Sequence, residues 1–93
     1  MTEHFDLPPV VYVPCLWDAR AEERRIALQR TEIGQVALMA YTALDRLQDG
    51  AGPGTEWILV KREGIPAIRN LSPFDVILVD QLIPPEARGL EQP

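Results

Sequence analysis

Cys15, Ser72, Asp75, Asp80 and the stretch Gly50-Ala-Gly-Pro-Gly54 are the parts of this sequence whose residue types suit chemistry. A nucleophilic cysteine needs its pKa lowered by a histidine, a cation or a helix N-terminus. The single histidine, His4, stands near the start of the sequence, in a stretch without apolar periodicity. Cys15 therefore reads as a small buried hydrophobe. Ser72, the one serine, has no G-x-S-x-G around it and no histidine to serve it, so it reads as a cap beside Pro73. The glycine stretch follows a helical pattern instead of a strand and lacks the Gly-Lys-Ser/Thr ending of a phosphate loop, which leaves a linker. Asp75 and Asp80 flank an apolar run. Their odd spacing sends two strand side chains to opposite faces, so turn capping is favoured over paired acid–base work.

No catalytic or metal-binding set emerges from these residues, and no cofactor is implied. The tryptophans point elsewhere, since Trp is enriched at interface hot spots. Trp57 opens an apolar run and reads as core. Trp17 follows an apolar run and sits among charged residues, so core and contact readings both stay open. Trp17, Arg25 and Gln29 form the candidate interaction surface.

Ninety-three residues are expected to form one domain, spanning 1–93, with 1–9 and 89–93 as frayed tails. The net charge of −5 and the scattered basic residues argue against nucleic acid, whose phosphates require clustered Lys and Arg. The N-terminus lacks the basic and apolar regions of a signal peptide, and no apolar run approaches the ~20 residues that span a bilayer. The expectation is a cytoplasmic protein with no membrane contact.

The elements that must position these residues can be read from periodicity. The β-branched run over 10–16 predicts a strand, with Pro14 at its end, at a bulge, or with its missing donor at an edge. Residues 17–23, polar and charged, read as a loop or one loose turn. Over 25–30, Ile26 and Leu28 face one way and Arg25 and Gln29 the other, a half-buried strand. A turn at 31–34 leads into a strand over 36–41, giving a hairpin. Thr42 is placed as an N-cap with Asp45 three residues on, Leu44 and Leu47 face the sheet, and Gly50 ends the helix. A strand over 57–61, a short helix over 66–71 with Pro in its first turn, and a central strand over 75–80 follow. A helical turn over 84–88 closes the chain. The order is β-β-β-α-β-(α)-β. It predicts an α/β (α+β) domain with a single mixed five-stranded sheet and short helices packed on it.

Three segments also carry a likeness: Val11-Tyr-Val-Pro-Cys-Leu16, Gly34-Gln-Val-Ala-Leu-Met-Ala-Tyr-Thr-Ala-Leu-Asp-Arg-Leu47, and Trp57 opening its strand. Together they resemble small actinobacterial proteins of the SseB-like group, similar to the SseB N-terminal domain, over residues 10–82. The resemblance implies an α/β fold and a bacterial accessory protein, and it brings no established catalytic residues. Two functions of different class follow. One is a non-enzymatic interaction module whose unpaired sheet edge and Trp17 support a homodimer. The other is a small-molecule or peptide-binding accessory subunit, which requires a pocket with convergent polar groups.

Overall fold

The computed structural model describes residues 7–84. The closing turn expected over 84–88 reaches beyond them, as do residues 1–6 and the tail at 89–93. Residues 7–9 are not frayed. Leu7 is buried in the core, and the Pro9 carbonyl accepts the Arg62 backbone N–H at 2.8 Å.

Six strands and two helices follow in the order β1 (Val10–Asp18), β2 (Glu23–Ile26), β3 (Leu28–Arg30), β4 (Val36–Ala40), α1 (Leu44–Ala51), β5 (Glu56–Lys61), a 3₁₀ turn (Arg62–Gly64), α2 (Ile65–Leu71) and β6 (Val76–Val79). The mixed α+β class is as expected. The single five-stranded sheet is not, because the strands form two sheets of three, ordered β2-β1-β5 and β3-β4-β6. The first is antiparallel throughout; in the second, β3 and β4 form the expected hairpin and β4 and β6 run parallel.

The division has a local cause. The strand expected over 25–30 breaks at Ala27, so its first half pairs with β1 and its second with β4. Strands β1 and β4 meet at a single bridge, where Tyr12 and Tyr41 exchange two 2.8 Å hydrogen bonds. Pro14 lies just beyond, its carbonyl accepting the Ala27 N–H at 3.0 Å. In an extended chain a residue's N–H and C=O point to the same side. The donor that Pro14 lacks therefore falls at the seam where the neighbour of β1 changes from Tyr41 to Ala27. Proline is tolerated there because the ladder ends at Ala27, so only the reciprocal bond of that last pair goes unmade.

Strand alternation sorts the apolar side chains into two clusters. Even positions of β4 and β5 and odd positions of β1 and β6 point inward: Leu38, Ala40, Val60, Val11, Val13 and Ile77 pack with Ile65 of α2, Leu7 and Phe74. Opposite positions of the second sheet, Ala37, Met39 and Tyr41, pack under Leu47 and Ala51 of α1 together with Ile83. Strand β6 sits at an edge and is half-buried, where a central strand was expected.

Helix α1 is anchored differently from its sequence signals. Ala43 is the N-cap and makes no side-chain cap bond. The Thr42 hydroxyl donates instead to Asp80 Oδ2 at 2.8 Å, the Thr42 N–H to Oδ1 at 2.9 Å, and Arg46 Nη1 to Oδ2 at 3.0 Å. A charged acceptor makes stronger hydrogen bonds than a neutral one, so the carboxylate at the end of β6 captures the start of the helix. Gly50 does not end the helix. It lies inside it, where an added Cβ would come within 2.6 Å of Tyr41 Cε1 and 2.8 Å of the Gln81 carbonyl oxygen. The helix ends at Gly52, whose φ of +114° a residue with a side chain rarely adopts.

Candidate functional site

The outward side of the first sheet is built by register. Along β1, Val10 stands opposite Lys61, Tyr12 opposite Leu59 and Pro14 opposite Trp57 in β5. Farther on, Leu16 stands opposite Arg25 and Asp18 opposite Glu23 in β2. Directly opposed residues share a face. One side thus carries a row of apolar side chains with Lys61 at one end and Asp18, Glu23 and Arg25 at the other. Trp57 is 39% exposed, Leu59 55% and Val10 38%. The Trp57 ring meets Tyr12 edge-on, with centroids 5.1 Å apart.

The charged end is internally ordered. Arg25 Nε donates to Asp18 Oδ2 at 2.6 Å, and Arg25 Nη2 lies 3.2 Å from Glu23 Oε2. Asp18 Oδ1 also accepts the backbone N–H groups of Arg20 and Ala21. The Ala21 N–H foremost, then Arg25, holds the Asp18 carboxyl below the usual carboxylate range.

Of the residues singled out by sequence, Arg25 lies on this outward side, opposite Leu16, whereas Gln29 belongs to the second sheet and opposes Ala37 on the face that α1 covers. Trp17 lies on the other side. It belongs to β1 and not to a loop, opposes Arg24, and shares the parity of Val11, Val13 and Cys15. It is 57% exposed because it lies past the end of the packed core. The reading of Trp57 as core is also corrected. Its parity in β5 is opposite to that of Ile58 and Val60, which face the interior.

Cys15 is buried, and loss of solvation pushes its thiol pKa up, against the smaller pull of Arg24. The Arg24 Nε–Glu56 Oε1 pair, 2.7 Å, lies on the same side of the sheet. Arg24 is held still more firmly protonated by it. Ser72 follows the C-terminus of α2 and donates its backbone N–H to the Ile68 carbonyl. Asp75 Oδ2 accepts the Val36 N–H at 2.8 Å, and Asp80 holds Thr42 and Arg46, so both flanking aspartates tie strand ends. The glycine stretch forms the end of α1 and a turn closed by Thr55 N–H to Gly52 O at 3.2 Å.

Sequence reasoning missed a cavity of about 190 Å³ between α2 and β6, lined by Leu7, Arg62, Ile65, Pro66, Arg69, Phe74 and Ile77. The i, i+3, i+7 spacing of Arg62, Ile65 and Arg69 was its sequence signal, because the 3₁₀ turn and α2 run on without a break. No described helix is long and apolar enough to cross a membrane. Compared with protein-family models, curated proteins and solved structures, the chain matches none.

Proposed function

We propose that this chain is a cytoplasmic, non-enzymatic protein-interaction module that pairs with a second copy of itself through the outward side of its first sheet. The observation that carries the reading is the row of Val10, Leu59 and Trp57, large apolar side chains open to solvent and joined by register through the half-buried Tyr12. Scattered apolar residues are normal on a protein surface; a contiguous row of them marks a contact. Packing two such faces buries it in the manner of a β-sandwich.

The ends of the row favour a twofold arrangement. A twofold axis through its middle lays two copies antiparallel, so that Lys61 of one approaches Asp18 and Glu23 of the other. The net charge of −5 per chain opposes association only mildly, since salt screens exposed charges beyond about 8–10 Å. Trp57 and Leu59 replace Trp17 as the anchor of the expected homodimer. Membership of the SseB-like group belongs to the same proposal, and the absence of established catalytic residues in that group agrees with a binding role.

Light scattering at micromolar concentration tests the reading. The expected result is a dimer mass that Leu59→Glu reduces to a monomer while Trp17→Ala leaves it unchanged. A monomer mass at every concentration and salt overturns it.

A further inference from the structure

Arg62 and Arg69 differ from the arginines of the first sheet and of α1. Arg24, Arg25 and Arg46 each hold a carboxylate. Among the described residues, Arg62 and Arg69 have no ion pair, and no acidic side chain lines the cavity they flank. The nearby Asp75 carboxylate is turned to the Val36 N–H. Each guanidinium has five N–H donors, and each spends one on a backbone carbonyl. Arg62 Nη1 donates to Leu7 O at 2.6 Å, and Arg69 Nε to Phe74 O at 3.2 Å. Arg69 also lies 4.8 Å from the centroid of the Phe74 ring. These contacts hold both cations beside an apolar cavity with N–H groups left to donate.

We propose that this cavity binds a small apolar monocarboxylate. Its hydrocarbon body lies against Leu7, Ile65, Phe74 and Ile77, and its carboxylate takes the free N–H groups of Arg62 and Arg69. The volume, about 190 Å³, sets the size of the body. A dry cavity of roughly 150 Å³ holds benzene, so one ring with a short arm, or a medium alkyl chain, fills this one. Guanidinium pairs match carboxylate geometry bidentately, which a neutral ligand of the same shape does not satisfy. The site shares no residue with the outward face of the first sheet, so it stands or falls apart from self-association.

Titration calorimetry and amide shift mapping of the full chain with hydrocinnamate test the site. Hydrocinnamate is expected to bind and to shift the amides of Ile65, Arg69, Phe74 and Ile77. Hydrocinnamamide should bind at least about tenfold more weakly, the loss of a charge-assisted pair. Arg69→Gln should weaken the acid by about the same factor with an unchanged far-UV spectrum. Arg62→Gln also frees the Leu7 carbonyl, so the acid–amide comparison on the unaltered chain keeps the test independent of folding. Equal binding of acid and amide, or no binding at millimolar acid, overturns the proposal. So does a peptide ending in Phe that shifts these amides when the free acid does not.

Discussion

On the second sheet, Ala37, Met39 and Tyr41 lie under Leu47 and Ala51 of α1; on the first, the same side carries Val10, Trp57 and Leu59 in contact with solvent. The two faces are continuous through the Tyr12–Tyr41 bridge, so the difference is one of cover and not of strand chemistry. Trp57 and Leu59 on the outward side of β5 are as apolar as Ala37 and Met39 of β4, yet α1 covers β4 and the Tyr12 end of that side and leaves β5 bare. A covered apolar face contributes to the stability of the single chain. An uncovered one has that burial still to gain from a partner. The covered face should therefore respond to substitution in unfolding experiments, and the bare face in association experiments.

Leu47→Ala probes the covered face with the largest effect. Leu47 is fully buried, and its truncation should cost about 2–4 kcal/mol in denaturant unfolding. A loss well under 1 kcal/mol would remove α1 as the anchor of that face. Gly50→Ala comes next. Alanine raises helix propensity by about 1 kcal/mol, but the new Cβ meets a tyrosine ring and a backbone oxygen, and overpacking costs about 1–3 kcal/mol or more. The expected net loss is about 1–2 kcal/mol, read from the same unfolding curves. A gain in stability would show that Tyr41 and Gln81 yield freely.

On the bare face, Leu59→Ser should change the stability of the monomer by no more than about 0.5 kcal/mol, measured at dilution where self-association is absent. A loss as large as that of Leu47→Ala would place Leu59 in the core and erase the contrast. The smallest effect belongs to Asp18 at the end of the row. Its pKa is lowered on folding, so its contribution is present above the unfolded value, about 3.9, and is lost as pH falls through the lower folded value. Asp18→Asn should flatten the acid limb of the stability–pH curve below about pH 4 and leave neutral pH nearly unchanged. An unaltered acid limb would remove Asp18 from that account.

The alternation of Ile26 and Leu28 against Arg25 and Gln29, the hairpin, and Pro66 in the first turn of α2 were all legible, because each depends on neighbours a few positions away. The division of the sheet was not. It depends on Ala27 meeting Pro14 while Leu28 meets Leu38, and nothing local to 25–30 records that change of neighbour. The tie of Asp80 to Thr42 crosses thirty-eight positions and displaced a cap that Thr42 and Asp45 spelled out nearby. The bare face was half legible. Trp57 was noticed, but its side of β5 follows from the register with β1 and from where α1 comes to rest. The cavity needed α2, β6 and Leu7 together.

Tryptophan fluorescence on dilution tests the contrast between faces most directly. In the Trp17→Phe variant, Trp57 is the sole reporter. Its emission should shift to the red, and its quenching by acrylamide should rise, as the sample is diluted from high to low micromolar concentration. In Trp57→Phe, Trp17 should show neither change. Identical behaviour of the two reporters, or a Trp57 signal independent of concentration, would contradict the assignment of the outward side of the first sheet as the contact between copies.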